Sequence, residues 1–222
     1  MLELDHVIVF CSRGAPEAAA LRAEGLLDSS GQAHPGQGTA NRRFAFANAY
    51  LELLWVEDEK EVRSTAVERT QLWERWQGRN SGLCPFGLAF RPGGDDTAAP
   101  PFPTWSYRPS YLPADLSIEM GTGVRPSEPL LLYLPFARRD RIRPAEADGR
   151  PARVREMVGA RLHLPEGDRP SDSLGSLVAT GLVSLVNARE YLAELEFLGE
   201  PANAIDLRPH LPLLFRPHAA AA

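Results

Sequence analysis

The sequence predicts an α+β fold built on a βαβββ unit, and three observations carry that prediction. Leu2–Phe10 alternates with a period of two, Ala15–Leu27 is helical in composition, and two further strand-like runs, Arg43–Ala47 and Tyr50–Val56, follow a Gly-rich polar loop. The run Glu190–Phe197 then echoes Ala49–Trp55, with a similar order of elements around it, which predicts that the unit is duplicated.

In the first strand, Leu2, Leu4, His6, Ile8 and Phe10 share one face, and Glu3, Asp5, Val7, Val9 and Cys11 share the other. Pro16 is tolerated in the first turn of the helix that follows. Asp28 to Asn41 reads as a loop with room for one short strand, and Asn48-Ala49 as the turn of a hairpin. Glu59–Gln77 is charged and amphipathic and reads as one connecting helix ending near Gly78. The middle third offers strand candidates at Leu83–Arg91, Trp105–Arg108, Leu116–Met120 and Leu130–Phe136, with a Gly/Pro/Asp/Ala loop, Pro92–Pro103, where a repeat of the first unit would have its helix. In the last third the candidates are strands at Val158–Leu164, Leu182–Val186 and Tyr191–Leu198, a short helix at Ser171–Thr180, and an edge strand within Asp206–Phe215. The expected organisation is therefore a first module over 1–57, a connecting helix and irregular β-rich segment over 58–137, a connector over 138–156, and a second module with its tail over 157–222.

Composition excludes several classes of function. The chain has 222 residues, enough for one large domain or two small modules, with 44% hydrophobic and 24% charged residues. A net charge of -5 argues against a nucleic-acid binder, which needs a basic face to displace counterions. Lys60 is the only lysine. Two cysteines, Cys11 and Cys84, make no disulfide framework. No apolar run reaches the roughly 18–20 residues that span a bilayer, and the first strand begins without a leader, so a cytoplasmic protein with no membrane partner is expected. Neither a nucleotide loop, a G-x-S-x-G elbow, an H-E-x-x-H helix nor paired C-x-x-C motifs occur.

Candidate functional residues follow from strand faces. If helices cover one side of the sheet, Leu51, Leu53 and Trp55 pack against them, and Tyr50, Glu52, Leu54 and Val56 face the other way. A carboxylate among such neighbours must be paired, hydrogen-bonded or bound to a cation. For Glu52, a metal and a clamp by Arg42 or Arg43 are equally weighted partners. His6 suits a divalent metal by chemistry, with a hydrogen-bonded histidine as the alternative. The same logic leaves Arg161 and His163 on one face of their strand, and Glu194 and Glu196 on one face of theirs, either toward a cavity or paired on a solvated surface. Glu119 has no direction assigned. The loop His34–Asn41 reads either as a backbone nest for an anion, aided by Arg42 and Arg43, or as a tight turn.

Leu4-Asp5-His6-Val7, the loop His34-Pro35-Gly36-Gln37-Gly38-Thr39-Ala40-Asn41 and Tyr50-Leu51-Glu52-Leu53 together resemble the glyoxalase-like domain of the vicinal oxygen chelate superfamily, which includes bleomycin-resistance proteins and extradiol dioxygenases. The resemblance covers mainly 1–57. It implies repeated βαβββ modules forming curved mixed sheets around a cavity, with helices outside. It also implies a divalent metal on His6 and Glu52, here joined by Glu194, and a lyase or dioxygenase acting on a small oxygen-bearing substrate. Glu196 would move the proton, and Asn41, Arg42, Tyr50, Arg161 and His163 would contact the substrate. The alternative is a non-catalytic binding or sequestration protein using the same cavity. A small molecule is the expected partner, and pairing of modules between chains makes a homodimer an expectation.

Overall fold

The computed structural model describes residues 2–94, 99–142, 156–165, 167, 169–198 and 203–218. It is a mixed α+β fold with two mixed sheets, of eight and five strands. The first unit runs β1 (Leu2–Phe10), α1 (Ala18–Ala23), β2 (Ser30–His34), β3 (Thr39–Ala45) and β4 (Tyr50–Val56). Antiparallel pairing joins β2, β3 and β4, and β4 lies parallel to β1.

The strand candidates of the middle third join the sheet of the first unit. Strands β5 (Phe86–Pro92), β6 (Thr104–Tyr107), β7 (Ile118–Gly121) and β8 (Leu130–Tyr133) repeat that pairing, with β5 parallel to β8 and β6, β7 and β8 antiparallel. Antiparallel pairing of β5 with β1 fuses both units into one sheet of order β2-β3-β4-β1-β5-β8-β7-β6. Apart from Pro92, the last residue of β5, the prolines that obscure these strands in the sequence fall outside them.

The last third forms its own sheet, from β9 (Glu156–Pro165), α4 (Asp172–Val178), β10 (Val183–Ala188), β11 (Leu192–Leu198), β12 (Ile205–Asp206) and β13 (Leu213–Pro217). Its order, β10-β9-β11-β13-β12, sets β10 directly beside β9 and differs from the pairing of the first unit. The connector at 138–156 lies largely outside the described residues. The connecting helix breaks into α2 (Glu59–Val62), a single 3-10 turn at Glu68–Thr70 and α3 (Leu72–Gly78), with Gln71 in a left-handed conformation, φ 59°, between the turn and α3.

Packing assigns the two faces of the large sheet. Val7, Val9, Leu51, Leu53, Phe86, Leu88 and Leu131 share one core with Ala18 and Leu21 of α1, Leu174 and Leu177 of α4, and Leu162, Leu195, Phe197 and Phe215 of the small sheet. Phe46, Phe197 and Phe215 form an edge-to-face cluster in this core, with Phe46 and Phe197 centroids 4.8 Å apart. Ile8, Phe10, Leu54, Val56, Ala89, Leu130, Leu132 and Met120 occupy the opposite face with Val62, Val67 and Leu72 from the connecting segment. Cys11 and Cys84 are buried and free. Among the described residues no helix is long and apolar enough to cross a membrane.

Two irregularities change the faces that plain alternation predicts. The register of β1 against β5 shifts between Leu4 and His6, so Leu4 turns into the main core while His6, Ile8 and Phe10 keep the other face. In β9 the register shifts opposite Glu196 and Phe197; Met157 enters the core, and Val158, expected inside, is among the exposed large hydrophobic residues.

Candidate functional site

The second face of the eight-stranded sheet walls a cavity of about 450 Å³, within the size range of small-molecule sites. One end is polar: Asp5 and His6 from β1, His34 from the end of β2, Gln37 from the β2–β3 turn, Arg43 from β3, and Tyr50 and Glu52 from β4. The other end is apolar, with Leu72, Ile118, Met120, Leu130, Leu132 and Phe136 among its walls. Tyr107 of β6 and Tyr111, in the loop that follows β6, also line the cavity.

The bulge in β1 builds the centre of the polar end, since it lets the consecutive residues Asp5 and His6 both reach the cavity. His6 Nδ1 lies 2.7 Å from Asp5 Oδ1, and His6 Nε2 lies 3.2 Å from Glu52 Oε2. The fully buried Arg91 donates to Asp5 Oδ2 at 2.9 Å and to Glu3 at 2.8 Å, anchoring the chain of charges from behind. Asn41 donates through Nδ2 to the other oxygen of Glu52 and accepts from the Gln32 amide at 3.0 Å. His34 contacts Thr39 Oγ1 through Nδ1 at 2.9 Å and stacks on Tyr111 with ring centroids 4.7 Å apart.

This network sets the charges. Burial opposes ionisation of Glu52, but the His6 hydrogen bond and charge, with Arg43 and His34 behind them, hold its pKa down to about 2. Burial likewise disfavours the charged imidazolium, yet the hydrogen bonds that His6 donates to Asp5 and Glu52 outweigh it and raise the pKa of His6. For Asp5 the burial penalty is outweighed by His6 and Arg91, and its pKa falls. His34 is shifted the other way, with burial as the largest cause of its lowered pKa. The charged form of the site is thus an imidazolium between two carboxylates.

Residues 4–108 match the model of a glyoxalase-like domain. This part of the chain is a glyoxalase-like domain. The match ends at β6, so β7 and β8, which complete the second half of the cavity, lie beyond it. Over the whole chain the fold is similar to that of a hypothetical protein from Staphylococcus aureus, with TM-score 0.55 and 10% identity, covering 98% of this chain and 100% of that one. At that identity the likeness speaks for the fold alone. No curated protein matches the sequence.

The residues picked out in the sequence separate into two groups. His6, Tyr50 and Glu52 line the cavity of the glyoxalase-like domain, and Asn41 supports Glu52 from within the sheet. Arg42 does not line the cavity; it pairs with Asp28, which also pairs with Arg22. Arg161, His163, Glu194 and Glu196 lie on the second sheet and are not brought to the cavity. Ala160, Leu162, Ala193 and Leu195 turn to the core, which leaves these four on the opposite face. There the Glu194 carboxylate lies 2.8 Å from His163 Nε2 and 2.8 Å from Arg216 Nε, and Glu196 lies 3.1 Å from His218. Glu119 also turns away from the cavity, toward the hydroxyls of Thr104, Ser106 and Ser117.

The Gly-rich loop serves as a turn. The Gly36 amide is taken by Glu61 at 2.7 Å, and the Gln37 and Gly38 amides return to His34 O, so these amides do not converge on a free anion site. Arg43 is opposite Glu52 in register but does not clamp it; its guanidinium lies over the Tyr50 ring, 5.1 Å from the centroid.

A four-ligand metal centre does not fit these residues. Both nitrogens of His6 are engaged by carboxylates, and Glu52 is held by His6 and Asn41. On the facing strands the cavity positions are Leu130, Leu132 and Leu134, with Ala89 on the same face, so that half offers apolar side chains where further ligands would stand. Among the described residues no group of three or more His, Cys, Asp and Glu is arranged to hold a metal ion. Asp5, Arg91 and Tyr111 were not singled out as site residues by sequence, whereas Arg43 was read as a clamp on Glu52 or an aid to an anion at the loop, and His34 only as the start of that loop. Asp5 needs the bulge, Arg91 comes from another strand, and Tyr111 lies in a Pro-flanked loop with no periodic signal.

Proposed function

We propose that this chain is a binding protein for a small amphipathic molecule, which enters the cavity of the glyoxalase-like domain with its oxygen-bearing end at His6, Tyr50 and Glu52. The observation that carries this reading is the division of one cavity into a charged, internally paired wall and an apolar wall. Such a site buries a hydrocarbon body while a few placed polar groups orient the head.

The enzyme readings have less support. A lyase or dioxygenase of the metal-dependent kind needs ligands from both halves of the sheet, and the second half lines the cavity with apolar side chains, Tyr107, Tyr111 and Arg138 but with no His, Cys, Asp or Glu. Proton transfer by Glu52 without a metal is poorly served by a carboxylate held at about 2, since a general acid or base works best with a pKa near the working pH.

Calorimetric titration with 1-octanol tests the reading, alongside Leu132→Trp, which fills the apolar end. Saturable binding at one site in the wild type, lost in a folded Leu132→Trp protein, is expected. No heat and no thermal stabilisation by 1-octanol in the wild type would overturn it.

A further inference from the structure

We propose that Arg43 anchors the head group of the cavity's ligand, and that this ligand is a monocarboxylate with an apolar body. The inference rests on the binding reading above and adds the chemical class.

The carboxylates in the cavity wall already have partners. Asp5 is paired with His6 and Arg91, and Glu52 with His6. Arg43 reaches the same cavity from β3 and, among the described residues, has no carboxylate partner. Its Nε is buried without a hydrogen-bond acceptor. What holds the side chain is a stack: the guanidinium lies over Tyr50, and Tyr50 lies over His6 with ring centroids 4.4 Å apart and planes 18° from parallel. Stacking fixes the plane of the guanidinium and leaves its edge, where the N–H donors point, for another group.

A guanidinium stays charged at any working pH, so burial cannot be relieved by losing its proton. The cheapest complement is an acceptor that takes two parallel N–H bonds, and a carboxylate has that geometry. Phosphate shares it, but a second negative charge would sit near Asp5 and Glu52, and β1–β4 bring no arginine or lysine other than Arg43 to the cavity. Arg138 also lines the cavity, next in the chain to Phe136 and Ala137 of the apolar wall, where its guanidinium donates to the carbonyls of Pro135 and Ala137. One negative charge is therefore favoured over two. The body of the ligand follows from the opposite wall, where Leu72, Ile118, Met120, Leu130 and Leu132 offer hydrocarbon and no partner for a polar group.

The test compares octanoate with 1-octanol, equal in chain length and different in charge, by titration calorimetry on the full chain. Wild type is expected to bind octanoate more tightly than 1-octanol. Arg43→Gln is expected to weaken octanoate roughly 10-fold to 100-fold, the usual worth of a charge-assisted hydrogen bond, and to leave 1-octanol within about 2-fold. Equal affinities of wild type for the two probes, or an equal loss of both in Arg43→Gln, would overturn the anchor while the binding reading stands. Failure of both probes in wild type would remove the binding reading itself and the anchor with it. Should Arg43→Gln fail to fold, the octanoate-to-octanol ratio in wild type and in Arg43→Lys decides: the anchor requires a ratio above one in wild type that falls in the lysine variant, which keeps the charge and loses the fork.

Discussion

His6 Nε2 lies 3.2 Å from Glu52 Oε2, although the two residues belong to strands that are 44 positions apart at their Ile8–Glu52 register pair. Parallel pairing of β1 with β4 brings the side chains onto one face, and the bulge at Asp5 supplies a second carboxylate to the same imidazole. An imidazolium fixed between two carboxylates is a polarised wall. Its electrostatics govern both stability and recognition.

Stability should depend on pH through this pair. Glu52 ionises more readily in the folded chain, so its contribution is present above its ordinary value of 4.5 and is lost as pH falls toward about 2. His6 is raised, so its contribution is complete below its ordinary 6.5 and is lost as pH climbs through the folded value. Both act together between these limits. Urea denaturation from pH 2 to 7 should show an acid limb of roughly 3 kcal/mol from Glu52, with Asp5 adding to it. Glu52→Gln should make that limb shallower; a variant as steep as wild type would assign it to other carboxylates.

Gly38 holds the turn that aims His34 and Gln37 at the cavity. Its φ is 75°, and a Cβ there would collide with the carbonyl of Asp58 and the amide of Val62, both backbone atoms. Gly38→Ala should therefore destabilise the protein by about 1–3 kcal/mol from backbone strain alone, with the collision adding to it. The chemical-denaturation midpoint measures this. An unchanged midpoint would mean that the loop can move away from α2 freely.

Glu194→Ala and Glu196→Ala should leave the affinities for 1-octanol and octanoate unchanged, because both residues lie on the small sheet and outside the cavity. Calorimetry on the two variants checks it. A loss of binding in either would place the ligand on the second sheet.

Much of the first unit was legible because its signals are local. Alternation alone placed Leu51, Leu53 and Trp55 in the core and Tyr50, Glu52 and Leu54 on the cavity side. The face of Asp5 was not legible, since a bulge is defined by the partner strand and β5 lies some 80 residues away in the chain. Nor was the direction of Arg43: the register pair Arg43–Glu52 suggests a salt bridge, but His6 and Asn41 occupy the carboxylate and the arginine stacks on Tyr50 instead.

The pair of similar runs, Ala49–Trp55 and Glu190–Phe197, marks the division most clearly. Period-two patterning by itself determined that both are strands with apolar residues on one face and glutamate on the other, because successive side chains of a strand must point to opposite sides. Only tertiary structure decided that Glu52 faces a cavity completed by β5–β8 while Glu194 faces the outer side of a separate sheet among His163, Arg161 and Arg216. What lies across from a strand face is set by long-range strand pairing and sheet packing, and no local pattern encodes it.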